Sequence, residues 1–235
     1  MPPVGILLSG GLDSCILLGK SLRDGQDVQP FHIRCGLAWE SAERRAIDQF
    51  LEAVNKLRLP GQLAPLVSFD LPLADLYGDH WSVTGRNLPS YDSPDEAVFL
   101  PGRNPLLLIK PALWCQMHGI ESLALAPLAS NPFGDASDSF FESYERSLEL
   151  AMGRSLTILR PFLNLSKTQV MRLGIGLPLE FTHSCIAPSH GDSLVHCGAC
   201  NKCAERQAAF RDAGLDDPTI YSVPAAANAS RASAD

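Results

Sequence analysis

Two short stretches hold residue types whose spacing suits chemistry. The first is Ser9-Gly10-Gly11-Leu12-Asp13-Ser14, directly after the apolar run 4–8. A glycine-rich turn between a strand and a helix suits an anion. Its N–H groups point outward, the helix dipole favours negative charge, and glycine lets oxygens approach closely. Ser9 and Ser14 add hydroxyl donors. Asp13 repels an anion directly, so its place is to orient the loop or to help hold Mg2+. The stretch has no lysine, whereas the loop G-x-x-x-x-G-K-[ST] uses one on the β/γ-phosphates. The second stretch carries Cys197, Cys200 and Cys203 as C-x2-C-x2-C, with Cys185 ahead of them. Four thiolates so spaced suit a closed, structural Zn2+ site; a four-cysteine iron–sulfur cluster and free thiols are the competing readings. Gly198 eases the knuckle, and His190 and His196 read as bystanders because four cysteines already complete the shell.

The elements that must position these residues alternate strand and helix. Residues 4–8, 28–35, 63–72, 120–128 and 156–162 read as strands. Residues 14–25 read as a helix, and so do 41–57, with Ser41 as N-cap and Ile47, Phe50, Leu51, Val54 and Leu57 at helical spacing. The helical run 104–119 carries Pro105, suited to a first turn, and Pro111, which should kink it. Helices over 138–153 and 166–175 follow, the latter with Ser166 as N-cap. The Pro- and Gly-containing stretch 76–101 is long for a plain loop and reads as a lid or a partner-facing excursion. Such alternation predicts an α/β fold, a doubly wound parallel sheet whose ligand sits beyond the strand carboxyl ends at the switch point. The domain reading is an ATP-binding unit at 1–180, a zinc-binding segment at 181–222 and a disordered tail at 223–235.

Composition sets the outer limits. The chain has 235 residues, 46% hydrophobic and 19% charged, enough for a proper core. A net charge of −7 argues against a broad basic surface for nucleic acid. No apolar run approaches the ~20 residues of a membrane span, and the first residues read as no secretory signal. Seven cysteines, an odd number, argue against a disulfide framework, so a cytoplasmic protein is expected. Cys15, Cys35 and Cys115 read as small core residues, Trp39, Trp81 and Trp114 as packing, and Asp70 as a solvated carboxylate.

The loop resembles the PP-loop of the ATP pyrophosphatase superfamily, which grips the pyrophosphate of ATP while a substrate oxygen attacks the α-phosphorus. Adding "LPGRNPLLL" (100–108), "RPFLNLSKTQVMRLG" (160–174), "THSC" (182–185) and "CGACNKCAERQAAFRDAGLDDP" (197–218), the chain resembles the 7-cyano-7-deazaguanine synthase family of queuosine biosynthesis. The resemblance implies an adenine nucleotide alpha hydrolase-like fold. It implies an enzyme that adenylylates the carboxylate of 7-carboxy-7-deazaguanine. Ammonia then makes the amide, and a second ATP takes it to the nitrile. Such enzymes bind zinc through four cysteines and are usually homodimers. Carried over by position, Ser9, Gly10, Gly11, Leu12, Asp13 and Ser14 hold ATP phosphates and Arg103 neutralises phosphate or positions nucleotide. Lys167 stabilises charge on the α-phosphate, and Cys185, Cys197, Cys200 and Cys203 hold zinc. A cation at the helix start of Arg103 opposes the dipole, which favours a functional reason for it. Two segments depart from the family's pattern. "IRCGLAWE" (33–40) stands where "DYGQRH" is usual, and "APLASNPFGDASDSFF" (126–141) puts Asn131 and Phe140 where the family has an aspartate and an arginine. Both line the substrate pocket in the family, so a different carboxylate or another acceptor is an alternative, as are a PP-loop tRNA-modifying enzyme and a non-catalytic zinc interaction module.

Overall fold

The first apolar run forms β1 (Val4–Leu7), and the helix after the glycine turn is α1 (Leu12–Arg23). β2 (Val28–Arg34), α2 (Glu40–Lys56) and β3 (Val67–Asp70) follow. Two single turns come next, α3 (Ala74–Tyr77) and α4 (Trp81–Thr84), and then α5 (Arg103–Met117). β4 (Ser122–Ala124), α6 (Asp138–Met152), β5 (Thr157–Leu159) and α7 (Lys167–Leu173) complete the large unit. β6 (Val195–His196), α8 (Asn201–Ala213) and β7 (Ile220–Tyr221) close the chain. This computed structural model describes residues 2–129, 131–187 and 194–223. His190 and the tail beyond residue 223 lie outside the described residues.

The sheet is all parallel, in the order β3-β2-β1-β4-β5, so the expected doubly wound architecture is present. The order reverses at β1, which places the Ser-Gly-Gly turn at the switch point. One face is covered by α1, α2, α7 and α8, through residues such as Ile16, Phe50, Met171 and Phe210. The other face is covered by α5 and α6, through Leu108, Ala112, Cys115, Phe141 and Leu148. A third apolar group caps the carboxyl ends of the strands and includes Ile33, Trp39, Leu100, Cys185 and Cys203.

Several local expectations need correction. The N-cap of α2 is Trp39, not Ser41, and no side chain caps that end. The helix starts earlier because the Gly36 N–H is taken by the Glu40 carboxylate at 2.6 Å, which turns the chain ahead of Ser41. Helix α5 runs unbroken through Pro111, with Pro105 in its first turn as expected. Pro111 is buried, and α5 packs on both the sheet and α6, which offsets the hydrogen bond that Pro111 cannot donate. Leu57 is not a core residue; it follows the last turn of α2 and is 43% exposed. Ser166 does cap α7, in a reciprocal capping box with Gln169. Asp70 is exposed but ion-paired with Arg34 at 2.6 Å rather than simply solvated.

The 76–101 excursion docks on the cysteine-rich end of the chain. The Asn201 N–H donates to the Pro89 carbonyl at 3.2 Å, Asn201 Nδ2 to that of Ser93 at 2.5 Å, and the Tyr91 hydroxyl to Gln207 Oε1 at 2.8 Å. Trp81 stacks on Trp39 with ring centres 5.8 Å apart. No helix among the described residues is long and apolar enough to cross a membrane.

Candidate active site

The turn after β1 is shaped by its glycines and closed by its serines. Gly10 has φ +76°, in the left-handed region, and a Cβ there would sit 3.1 Å from the Glu43 carbonyl oxygen. The two serine hydroxyls lie 3.1 Å apart; that of Ser14 donates to the Gly11 carbonyl and accepts from the Ser9 N–H, both at 3.2 Å. Gly11 is the N-cap of α1, so the first-turn N–H groups of that helix open toward whatever fills the turn. Gly10→Ala is expected to destabilise the fold by at least about 1–2 kcal/mol, the left-handed penalty alone, in urea denaturation. Gly11→Ala, at φ −75° with no atom nearer than 3.5 Å, costs less.

A cation faces this turn from α7, which packs beside α1. Lys167, the first residue of α7, places its ammonium 2.8 Å from both carboxylate oxygens of Asp13 and 3.6 Å from Glu205. Burial works to lower the Lys167 pKa, but the carboxylates of Asp13 and Glu205 outweigh it and hold it above the ordinary lysine value. Glu205 also meets Lys202 at 2.6 Å. Opposing burial, these two lysines keep its carboxyl below the usual range.

Two neighbouring cavities share this wall. One of about 200 Å3 is bounded by Gly11, Asp13, Lys167, His183, Glu205 and Arg206, among others. The other, about 370 Å3, extends across the strand ends past His32, Cys35, Asn104, Asn131, Phe133 and Asp135. Ser9, Asp13, Ser14, Glu43, Arg103 and Lys202 belong to both. The residues expected from sequence, Ser9 through Ser14, Arg103 and Lys167, are therefore brought together, with Gly10 shaping the turn from behind. Arg103 starts α5 against the helix dipole, and the Asp135 carboxylate offsets that by accepting from the Asn104 N–H at 3.0 Å.

The departing segments lie on the larger cavity. Ile33, Cys35, Leu37 and Glu40 line it from one side and Ala126, Pro127, Asn131, Phe133 and Asp135 from the other. Phe133 stacks on Phe99 with centres 4.8 Å apart. Phe140 is turned away from it, packed on Phe141 and Tyr144. Burial pushes the Cys35 thiol up to about 11, so it is not a thiolate at neutral pH. Cys15 and Cys115 are fully buried core residues.

Behind the smaller cavity, the sulfurs of Cys185, Cys197, Cys200 and Cys203 all lie within 4.8 Å of one another. The Cys185–Cys200, Cys197–Cys203 and Cys200–Cys203 separations are 3.9, 3.8 and 3.5 Å. A tetrahedron with metal–sulfur bonds of ~2.3 Å has edges of about 3.8 Å, so the four residues fit a metal ion. Hydrogen bonds from Cys185, Cys200 and Cys203 hold the Cys197 thiol below its ordinary value, while the thiols of Cys185 and Cys203 are pushed up. Gly198 has φ +77° at the knuckle. His196 is not among these ligands; its Nε2 accepts from the Ser184 N–H at 3.0 Å. The cluster is tied to the turn directly, because the His183 N–H donates to the Gly10 carbonyl at 2.7 Å. It also starts α8, whose Lys202, Glu205 and Arg206 reach the cavity. Arg206 is fully buried and donates to the Thr182, Ser184 and Thr219 hydroxyls and the Leu179 carbonyl.

Sequence reasoning missed Glu43, Lys202, Glu205 and Arg206. For the last three a signal existed: Lys202 and Glu205 are three apart, Arg206 one turn after Lys202, all just past C-x2-C. For Glu43 there was none beyond a charge on a mostly polar helix.

Known proteins match this chain along its length. Residues 4–214 fit the family described as Queuosine biosynthesis protein QueC. The 7-cyano-7-deazaguanine synthase of Solidesulfovibrio magneticus is 29% identical over 231 residues, covering 92% of this chain and 94% of that one. The enzyme of the same name from Methanothrix thermoacetophila is 30% identical over 234 residues, covering 92% and 96%. A solved 4-thiouridine synthetase–RNA complex with bound ATP matches at 13% identity and a TM-score of 0.47, covering 94% of this chain and 47% of that one. With its glycine turn at the switch point, its cysteine cluster and a match from residue 4 to residue 214, the chain belongs to the queuosine biosynthesis protein QueC family.

Proposed function

We propose that the protein is an ATP-dependent carbon–nitrogen ligase. It adenylylates the carboxylate of 7-carboxy-7-deazaguanine and, with ammonia, converts it through the amide to 7-cyano-7-deazaguanine, releasing AMP and pyrophosphate. One observation carries this reading: the anion turn, Lys167 and Arg103 meet in a cavity that continues into a second one large enough for a bicyclic acid. The names of the relatives point the same way.

In this reading the turn Ser9–Ser14 holds the pyrophosphate of ATP by N–H and hydroxyl donors. Lys167 and Arg103 balance charge at the α-phosphate while the acid's oxygen attacks it. Asp13 holds Mg2+ together with the phosphates, which suits a hard ion that binds through one or two carboxylates. Zn2+ occupies the four cysteines and, with no open position, supplies folding energy rather than chemistry. The excursion and α8 wall off the cavities from water. By the same resemblance the protein is a homodimer with a small-molecule substrate, and its odd number of cysteines suits the cytoplasm.

A second reading draws on the departures at the larger cavity, where Cys35, Leu37, Asn131 and Phe133 line the wall. There the adenylylating half is kept, and either the acid or the nucleophile that follows differs. One reaction separates the two. The protein is incubated with ATP, Mg2+, ammonium and 7-carboxy-7-deazaguanine, and AMP, amide and nitrile are followed by mass spectrometry. Nitrile with AMP is the expected result. AMP without nitrile moves the assignment to another nucleophile, and no AMP moves it to another acid.

A further inference from the structure

Two carboxyls line both cavities, Asp13 and Glu43. Asp13 is ion-paired with Lys167 and, in the reading above, is committed to Mg2+. Glu43 lies on α2, half-buried, and its hydrogen-bond donor is a neutral group, the Trp39 indole N–H at 2.9 Å from Oε1. Trp39 is itself braced by Trp81 of the excursion, so the carboxyl is held rather than loose. Glu43 lines both cavities, so it borders the seam where a nucleotide in the smaller one would be joined to the acid in the larger one, which is where the acyl carbon would lie.

We propose that Glu43 is the proton acceptor for the nitrogen nucleophile, stationed where the nucleotide cavity opens into its neighbour. This rests on the ligase reading above. Ammonia adds its lone pair to the acyl carbon of the adenylate, and the carbonyl pair moves onto oxygen. The Glu43 carboxylate takes a proton from the now positive nitrogen. The carbonyl reforms as the C–O bond to AMP breaks, and AMP leaves with that electron pair. After the amide oxygen is adenylylated by a second ATP, the two N–H protons leave in turn to the same carboxylate, which passes each to water. The last N–H pair becomes the third carbon–nitrogen bond as AMP departs.

The local electrostatics suit this role. The protein walls push the Glu43 carboxyl up to about 7, against Arg103 and the Trp39 N–H, which pull it down. Arg103 of α5 and Glu40 of its own helix act on it directly, and the other titratable and charged groups of its two cavities are His32 and Cys35 of the β2 end, Asp13 of α1, Asp135 ahead of α6, Lys167 of α7, Lys202, Glu205 and Arg206 of α8 and His183 of the loop ahead of the cluster. A base near neutrality is half ionised at working pH and strong enough to take a proton from a protonated amine intermediate.

The test uses the full chain and the reaction of the previous section, from about pH 5.5 to about 9, with ammonium adjusted so that free ammonia stays constant. Pyrophosphate release and amide formation are followed separately. Wild-type amide formation is expected to fall as pH drops below about 7. Glu43→Gln is expected to slow it by about 100-fold or more and to abolish that acid limb, with a smaller loss in pyrophosphate release. Glu43→Asp keeps a limb. A carboxyl held above its ordinary pKa binds more protons in the folded state, so it weakens the fold as pH rises from about 4.5 to about 7. Glu43→Gln is therefore expected to melt above wild type at pH 8, by a margin that shrinks at pH 5. A Glu43→Gln enzyme slowed at every pH but keeping the limb would make the role structural and overturn the proposal, as would an unchanged rate. A wild-type protein that makes no AMP from this acid overturns the ligase reading itself, and the proposal with it.

Discussion

Lys167→Ala is expected to reduce pyrophosphate release from ATP by about 100- to 1,000-fold, the usual effect of removing one preorganised group aimed at developing charge. The expectation follows from where the ammonium is held. Lys167 opens a helix, where a cation is disfavoured by the dipole, and it is kept there by Asp13 and Glu205. Without it, the α-phosphate keeps only Arg103 of the two side-chain cations that balance its charge, so nucleotide affinity and the rate of adenylylation fall together. Lys167→Arg keeps the charge and can bridge both Asp13 oxygens, but its larger planar fork shifts that charge away from where the compact ammonium meets the α-phosphate, and partial activity is expected. Asp13→Ala and Lys167→Ala share the ion pair but remove different roles, so the double variant should be worse than either single one by less than the product of their losses. A Lys167→Ala protein that releases pyrophosphate at the wild-type rate would remove the lysine from the site.

The turn and the cysteines were legible in the sequence because their signals are local. A glycine that must take φ +76° and thiolates at fixed short spacings write their geometry into a few consecutive residues. The parallel sheet was legible for a related reason, since each strand-helix repeat carries its own apolar period. Boundaries were less so. The fourth strand is paired over Ser122–Ala124, with one further hydrogen bond to β5 on each side, although the strand-like run around it is three times as long, because pairing depends on where β1 and β5 lie. Likewise Trp39, the N-cap of α2, stacks on Trp81, forty-two residues later, a contact that neither stretch shows by itself.

The cavity walls were the least legible part. Glu43, Lys202 and Glu205 look like the exposed charges of any amphipathic helix, and only the packing of α2 and α8 against the turn gives them a shared wall. The excursion shows the same limit. Its sequence reads as a loose polar stretch, yet Tyr91 and the carbonyls of Pro89 and Ser93 bind side chains and backbone of α8, so it acts as a wall. Partners more than a hundred residues apart leave no trace in either segment alone.

That dependence makes the cysteine cluster the place where one substitution should do most damage. Cys203→Ser is expected to abolish stoichiometric metal, expose the segment from residue 181 onward to protease, and remove nearly all ATP-dependent activity. Structural metal sites of this kind contribute on the order of 10 kcal/mol to the segments they fold, more than a few hydrogen bonds can replace. Here the loss would spread by two routes. Cys185 is two residues from His183, whose N–H donates to the Gly10 carbonyl at 2.7 Å, so the anion turn loses a support. Cys200 caps α8 and Cys203 lies in its first turn, so Lys202, Glu205 and Arg206 lose their position on the cavity. Elemental analysis, limited proteolysis and pyrophosphate release on the same samples test the chain of dependence. The absence of visible absorption from the metal-loaded wild type would separate zinc from an iron–sulfur cluster. Wild-type proteolytic resistance and activity in a metal-free Cys203→Ser protein would show that the turn stands without the cluster. The lysine and carboxylates of α8 would then owe their placement to the packing of Ala209 and Phe210 on the main core alone.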